Sequence, residues 1–143
     1  MVKGQATDLY GENHELSYEE LIELHSGKTG ALICAAVQLG CLAAGITPND
    51  KLTEKLTKFA QKIGLAFQII DDILDVTSSD EELGKNVGSD KENNKTTFMS
   101  FFTPDQAKGF AEELTEEAIS EIKEIERSEV LIALALYLCD RKK

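Results

Sequence analysis

An all-α helical bundle is the fold class this sequence predicts, and three observations carry it. Strand signals are absent along the chain. The long segments repeat their apolar residues at spacings of three and four, as in Leu52, Leu56, Phe59, Ile63, Phe67 and Ile70. Helix-start chemistry recurs at segment edges: Ser17 with Glu20 three residues on is a capping-box pair, and Pro104 stands where a new helix begins. With 143 residues, 42% of them hydrophobic, residues 1–143 have the material for a single domain with a real core.

Taken in order, residues 4–9 (GQATDL) read as the tail of a helix ended by Gly11-Glu12-Asn13. Ser17 caps a short helix through Leu24. Residues 25–30 (HSGKTG) open the next helix, which runs from Ala31 towards Gly45 and whose small residues permit close packing on most sides, as in a central helix. Thr47-Pro48-Asn49-Asp50 is a turn, with Asn49 or Asp50 capping the striped helix that ends in DDILD. After Val76 the composition changes. Thr77 to Asn94 is polar, contains Gly84 and Gly88 and lacks periodicity, which predicts a long loop over the end of the preceding helix. Loops beyond about 12–15 residues are usually functional or disordered. Thr96 to Phe102 returns to apolar character. From Asp105 to Glu126, Phe110, Leu114, Ala118, Ile122 and Ile125 form one stripe against an acidic outer face, and Ser128 caps a last apolar helix, Val130 to Cys139. No internal repeat or low-complexity segment is present.

Composition excludes several function classes. A net charge of −11 argues against a nucleic-acid partner and an anionic membrane surface. Cys34, Cys41 and Cys139 show no metal-ligand spacing; an odd count on apolar stretches predicts buried thiols in a reducing, cytoplasmic setting. His14 and His25 are lone histidines, expected at the surface or in turns rather than as ligands. The start leads into polar sequence without a signal peptide. The longest apolar run, Ala31 to Ile46, is about 16 residues, short of the roughly 20 needed to span a bilayer, so no transmembrane segment is expected.

The stretch with chemistry in it is Phe67 to Asp75. Asp71 and Asp75 stack one turn apart on a helix, Asp72 flanks them, and Gln68 presents its amide to the same edge. Carboxylates set among Ile69, Ile70, Ile73, Leu74 and Val76 are costly to bury unless their charge is cancelled. A hard divalent cation does so, and magnesium, which binds through one or two carboxylates plus substrate phosphate, suits these ligands. An acidic helix edge facing water is the ordinary alternative. Two further clusters accompany the aspartates. Lys28-Thr29-Gly30 stands at a helix opening, where a lysine can meet phosphate and a bent backbone can expose a carbonyl and a hydroxyl. Lys85, Asp90, Lys95 and Thr96 lie in or beside the glycine-bearing loop, where two lysines can close over a diphosphate and Asp90 can reach a metal-bound water. Read singly, a capped helix start and a solvated loop explain these two.

Read together, the motifs GQATDL at 4–9, HSGKTGAL at 25–32, GLAFQIIDDILD at 64–75 and GKNVGSD at 84–90, followed by Lys95-Thr96, resemble the C-terminal half of the trans-isoprenyl diphosphate synthases, the farnesyl and geranylgeranyl diphosphate synthase family. The resemblance covers essentially the whole chain and implies the C-terminal part of the isoprenoid synthase fold. It implies that Asp71, Asp72 and Asp75 hold Mg2+ bridging to the diphosphate of an allylic substrate. It gives Lys28 and Lys85 contacts to that diphosphate, with Lys95 in support. Thr29, the Lys28 carbonyl and Gln68 would line the place where cationic charge develops. Phe67 would pack beside isopentenyl diphosphate, and Gln5 and Asp8 would support the pocket from the preceding helix.

The family's first aspartate-rich motif with its neighbouring arginines belongs to an N-terminal half, and no such motif occurs here. The only arginines, Arg127 and Arg141, stand far along the chain from any acidic motif of that kind. The expectation is therefore a fragment carrying half an active site, inactive alone. Product length is not legible. A non-catalytic regulatory subunit that pairs with a full-length synthase, and a relic helical bundle, are the alternatives. Loss of the other half would strip apolar faces from the helices at 31–46 and 51–75, which predicts a homo-oligomer.

Overall fold

The computed structural model describes residues 2–11, 14–77 and 95–141, and the elements they form are helical, with no strand among them. Helix α1 (Val2–Gly11) is followed by α2 (Tyr18–His25), which opens on the expected capping box: Glu20 N–H donates to Ser17 Oγ at 3.2 Å, and Ser17 N–H donates to Glu20 Oε2 at 2.8 Å.

The residues expected to open a new helix do not. Ser26–Gly30 is a π-helical turn that runs without a cap into α3 (Ala31–Ala43), the flanking His25 and Gly30 both keeping right-handed helical backbone. One rod therefore extends from Tyr18 to Ala43 with its middle turn widened. Periodicity cannot anticipate a single turn that changes its hydrogen-bond register; such turns are rare and concentrate at functional sites. Glycines press on it from two sides. A Cβ built on Gly4 of α1 would lie 2.4 Å from the Lys28 amide nitrogen, and one on Gly64 would lie 2.8 Å from Gly30 Cα. The continuity also makes Tyr18–Ala43 long and apolar enough, by length and composition alone, to cross a membrane, which the shorter run seen in sequence did not show. Here Leu21, Leu24 and His25 of this rod are buried within the protein.

Helix α3 is not central, as its small residues had implied. Cys41 is its one buried residue, whereas Leu32, Leu39 and Leu42 are exposed, because the described residues cover it mainly from the side of α4. That central role belongs to α4 (Lys51–Thr77), whose second residue donates its N–H to Asp50 Oδ1 at 2.8 Å, identifying Asp50 as the cap. Of the expected stripe, Phe59, Ile63 and Ile70 are buried and Leu52, Leu56 and Phe67 half-buried, and Ala60, Ala66 and Ile69 join the buried face. It packs chiefly against α5 (Pro104–Ile122), which starts at Pro104 with Thr103 and Gln106 as a capping box. That helix stops at Ile122 rather than Glu126, and the turn beyond it holds Arg127 in the left-handed region at φ 65°. Ser128 precedes α6 (Glu129–Cys139) but makes no side-chain cap, since its backbone (φ −76°, ψ −8°) is already helical rather than extended as a capping residue requires.

Two apolar clusters follow. Leu21, Ile69, Ile70 and Phe98 form one with Ala107 and Ala111; Phe59, Ile63, Ala118, Ile122 and Ala135 form the other. Each fully buried large side chain contributes about 1.5–3 kcal/mol. Phe98 lies in a single 3₁₀ turn, Phe98–Ser100, and is fully buried against the last third of α4. Packing there fixes where that end of α4 meets the chain after residue 94.

Candidate functional site

A cavity of about 350 Å³ opens between α1, the π turn, the C-terminal end of α4 and residues 95–97. Its polar lining gathers Asp8, Lys28, Thr29, Gln68, Asp71, Asp72 and Lys95, so most of the residues singled out by motif come to one place. Leu16 N–H donates to Thr96 Oγ1 at 3.0 Å, tying the segment that carries Lys95 to the start of α2 across 80 residues.

One wall is basic. Lys28 Nζ donates to Asp8 Oδ2 at 2.8 Å, and Lys95 Nζ lies 3.6 Å from Asp8 Oδ1. Burial pushes the Asp8 carboxyl up, but the hydrogen bond and charge of Lys28, with Lys95 behind them, outweigh it and hold Asp8 below the usual carboxylate range. One aspartate thus gathers two ammonium groups delivered by different segments. Gln5, expected beside Asp8, is exposed and reaches Asp8 Oδ2 only at 3.5 Å.

The other wall is acidic. Gln68 Nε2 donates to Asp71 Oδ2 at 3.1 Å, and the Phe98 N–H donates to Asp72 Oδ2 at 2.8 Å. Asp75 is half-buried one turn on and does not line the cavity. Phe67 does not line it either: the Arg141 guanidinium sits 4.0 Å over its ring and donates to its carbonyl at 3.4 Å. The same guanidinium hydrogen-bonds Asp71 Oδ1. Arg141 stands 70 residues from the motif it pairs with, so distance along the chain hid the contact. Lys85 and Asp90 lie outside the described residues.

His25 corrects the sequence expectation most sharply. It is 6% exposed, with Nδ1 3.2 Å from Gln68 Oε1, Nε2 3.5 Å from Asp72 Oδ2, and its ring stacked on Phe98 at 5.5 Å between centroids. A lone histidine has no partner visible in sequence, and this one finds its partner 43 residues away. Its position in HSGKTG, three residues before Lys28, was the one available signal.

Carboxylate oxygens at a half-buried helix end are donors of the kind magnesium takes. Among the described residues, though, no group of three His, Cys, Asp or Glu side chains stands together closely enough to hold a metal ion. Asp71 is turned onto Arg141 and Gln68, and Asp72 onto the Phe98 amide. The donor chemistry fits the ion, with those carboxylates engaged by protein partners.

Solved structures define the class. Geranyltransferase from Helicobacter pylori, in a complex with magnesium and isoprenyl diphosphate, superposes with a TM-score of 0.74 and 35% identity over 97% of this chain and 45% of that one. The fold is that of the isoprenyl diphosphate synthases. Residues 1–135 match the polyprenyl synthetase family, and the chain belongs to it. It is 39% identical over 99% of its length to farnesyl diphosphate synthase of Haemophilus influenzae, covering 48% of that protein. It is 42% identical to the chloroplastic geranylgeranyl pyrophosphate synthase of Catharanthus roseus, again over 99% of this chain but 40% of that protein. The chain thus spans about half the length of the curated relatives it matches.

Proposed function

We propose that this chain forms the diphosphate-holding side of a prenyltransferase that joins an allylic diphosphate to isopentenyl diphosphate. The observation that carries the reading is the shared cavity in which Lys28 and Lys95 converge on Asp8 while Asp71 and Asp72 line the same space. Diphosphate is a stronger claim on two ammonium groups than a single carboxylate is. Lys28 and Lys95 would bind its oxygens and so stabilise the charge that gathers there as the allylic C–O bond breaks. Asp71, Asp72 and Asp75 would hold magnesium, which when bound supplies positive charge to the same leaving group. Thr29 would face the space where the carbon skeleton loses its bonding pair, its hydroxyl oxygen suiting a cationic neighbour, with Gln68 in the same lining. The double bond of isopentenyl diphosphate then forms the new C–C bond and a proton leaves. Leu16 and Leu24, also in the lining, help exclude water that would quench the cation. The cysteines at 34, 41 and 139 are free thiols, which supports a cytoplasmic setting.

The test is calorimetric titration of the chain with inorganic pyrophosphate and Mg2+. Binding is expected, weakened about tenfold or more in Lys28→Ala, the scale of one charged hydrogen bond. Absence of any heat or melting shift would reduce the chain to a relic bundle. By itself the chain is expected to yield no condensation product, with activity appearing when the family's other half is supplied. A second reading, a non-catalytic subunit that pairs with a full-length synthase, is favoured by the exposed Leu32 and Leu39 on α3. Copurification with such a synthase and a change in its product length would select it.

A further inference from the structure

The His25 ring is clamped rather than merely buried: it is 6% exposed and stacked on Phe98 with the two rings 10° from parallel. Its hydrogen-bonding roles follow from its neighbours. Gln68 spends its amide nitrogen on Asp71 Oδ2 at 3.1 Å, which leaves its oxygen towards the ring. An amide oxygen only accepts, so His25 Nδ1 has to carry the hydrogen. Nε2, buried and without a hydrogen bond, has the Asp72 carboxylate as its neighbour at 3.5 Å. The backbone N–H of Phe98, the residue against which the ring is stacked, holds that same carboxylate at 2.8 Å.

We propose that His25 is a positioning residue for the acidic wall: by holding the Gln68 amide oxygen it turns the Gln68 nitrogen onto Asp71, while Phe98, on which the ring stacks, holds Asp72 through its backbone N–H. The path runs ring to amide to carboxylate, so Asp71 inherits its orientation from α2, while Asp72 is held from the 3₁₀ turn. Without the Nδ1 donor the Gln68 amide is free to rotate, and Asp71 loses a partner on one oxygen. This rests on the reading that the cavity takes a magnesium–diphosphate pair. Outer partners that orient metal-binding side chains typically govern affinity by about 10–100-fold.

Three variants separate the roles of the ring. His25→Phe keeps the stack and removes both nitrogens. His25→Asn returns a donor near the Nδ1 position, and His25→Gln puts one near Nε2 instead. Measured without ligand by nitrogen-15 NMR, the wild-type ring is expected to be protonated at Nδ1, with the Gln68 side-chain amide protons protected from exchange. That protection should persist in His25→Asn and vanish in His25→Phe and His25→Gln. In calorimetric titration with inorganic pyrophosphate and Mg2+, His25→Phe is expected to bind about 10–100-fold more weakly and His25→Asn within a few-fold of wild type. Equal Gln68 protection in wild type and His25→Phe, or a ring unprotonated at Nδ1, overturns the proposal. Should wild type bind no pyrophosphate, the diphosphate reading fails on its own, and the NMR comparison still decides what His25 does. If His25→Phe does not fold, His25→Gln carries the same comparison.

Discussion

Around the C-terminal end of α4 the chain draws polar groups inward, and on the outer sides of α3 and α6 it turns apolar groups outward. His25, Gln68, Asp71 and Asp72 are held by partners from α2, the 3₁₀ turn and the C-terminal residues, with His25 Nε2 and Arg141 Nε left buried without a hydrogen bond. Leu32 and Leu39 on α3, with Val130 and Tyr137 on α6, are 48–77% exposed together with Leu134, and among the described residues they have only a helix behind them. Polar atoms are placed by partnership and apolar ones by coverage. The first region is complete enough to specify geometry. The second has the character of a surface that meets another.

The most damaging way to break this contrast is Phe98→Ala. It removes a fully buried ring from the first cluster and the stacking partner of His25, and is expected to cost about 3–5 kcal/mol in denaturant unfolding. A cost under about 1 kcal/mol would mean that the polar wall does not depend on this packing. The opposite face should respond the other way. Leu32→Glu combined with Leu39→Glu is expected to leave stability within about 0.5 kcal/mol while abolishing self-association in sedimentation. Wild type sedimenting as a monomer at micromolar concentration would remove the association argument. The smallest effect concerns acid. Asp8 is held below the usual carboxylate range, so its contribution is fully present above about pH 4, its unfolded value, and is lost as pH falls through the lower folded value. Unfolding measured against pH should therefore decline less steeply on the acid side in Asp8→Asn, by about 1 kcal/mol or less. Identical acid limbs would show that the Lys28–Asp8–Lys95 cluster adds nothing to folding.

Features written in local chemistry were legible before the structure. The Ser17–Glu20 box, the Pro104 start and the stripe of α4 each depend on residues within a turn or two of one another. Of the motif residues, Lys28, Thr29, Gln68 and Lys95 line one cavity. What escaped was long-range. Nothing near His25 announces Gln68, nothing near Arg141 announces Asp71, and a helix as evenly apolar as α3 does not say which of its sides will be covered. The π turn escaped for a different reason: its residues read as a helix opening, while the chain uses their smallness to keep two helices joined and let two others touch them.

That last feature sets a limit on how the site can be altered. Gly4 and Gly64 bring the backbones of α1 and α4 directly against the Lys28 amide and the Gly30 Cα, with no side chain between them to absorb error. The stem of Lys28 is consequently mounted on a part of the molecule with no adjustable spacer. Any change that spreads those helices carries the ammonium group away from the aspartates by a comparable amount. A single methyl group at either glycine, far less bulk than most surface changes introduce, acts as a shim in the hinge between the positive and negative walls.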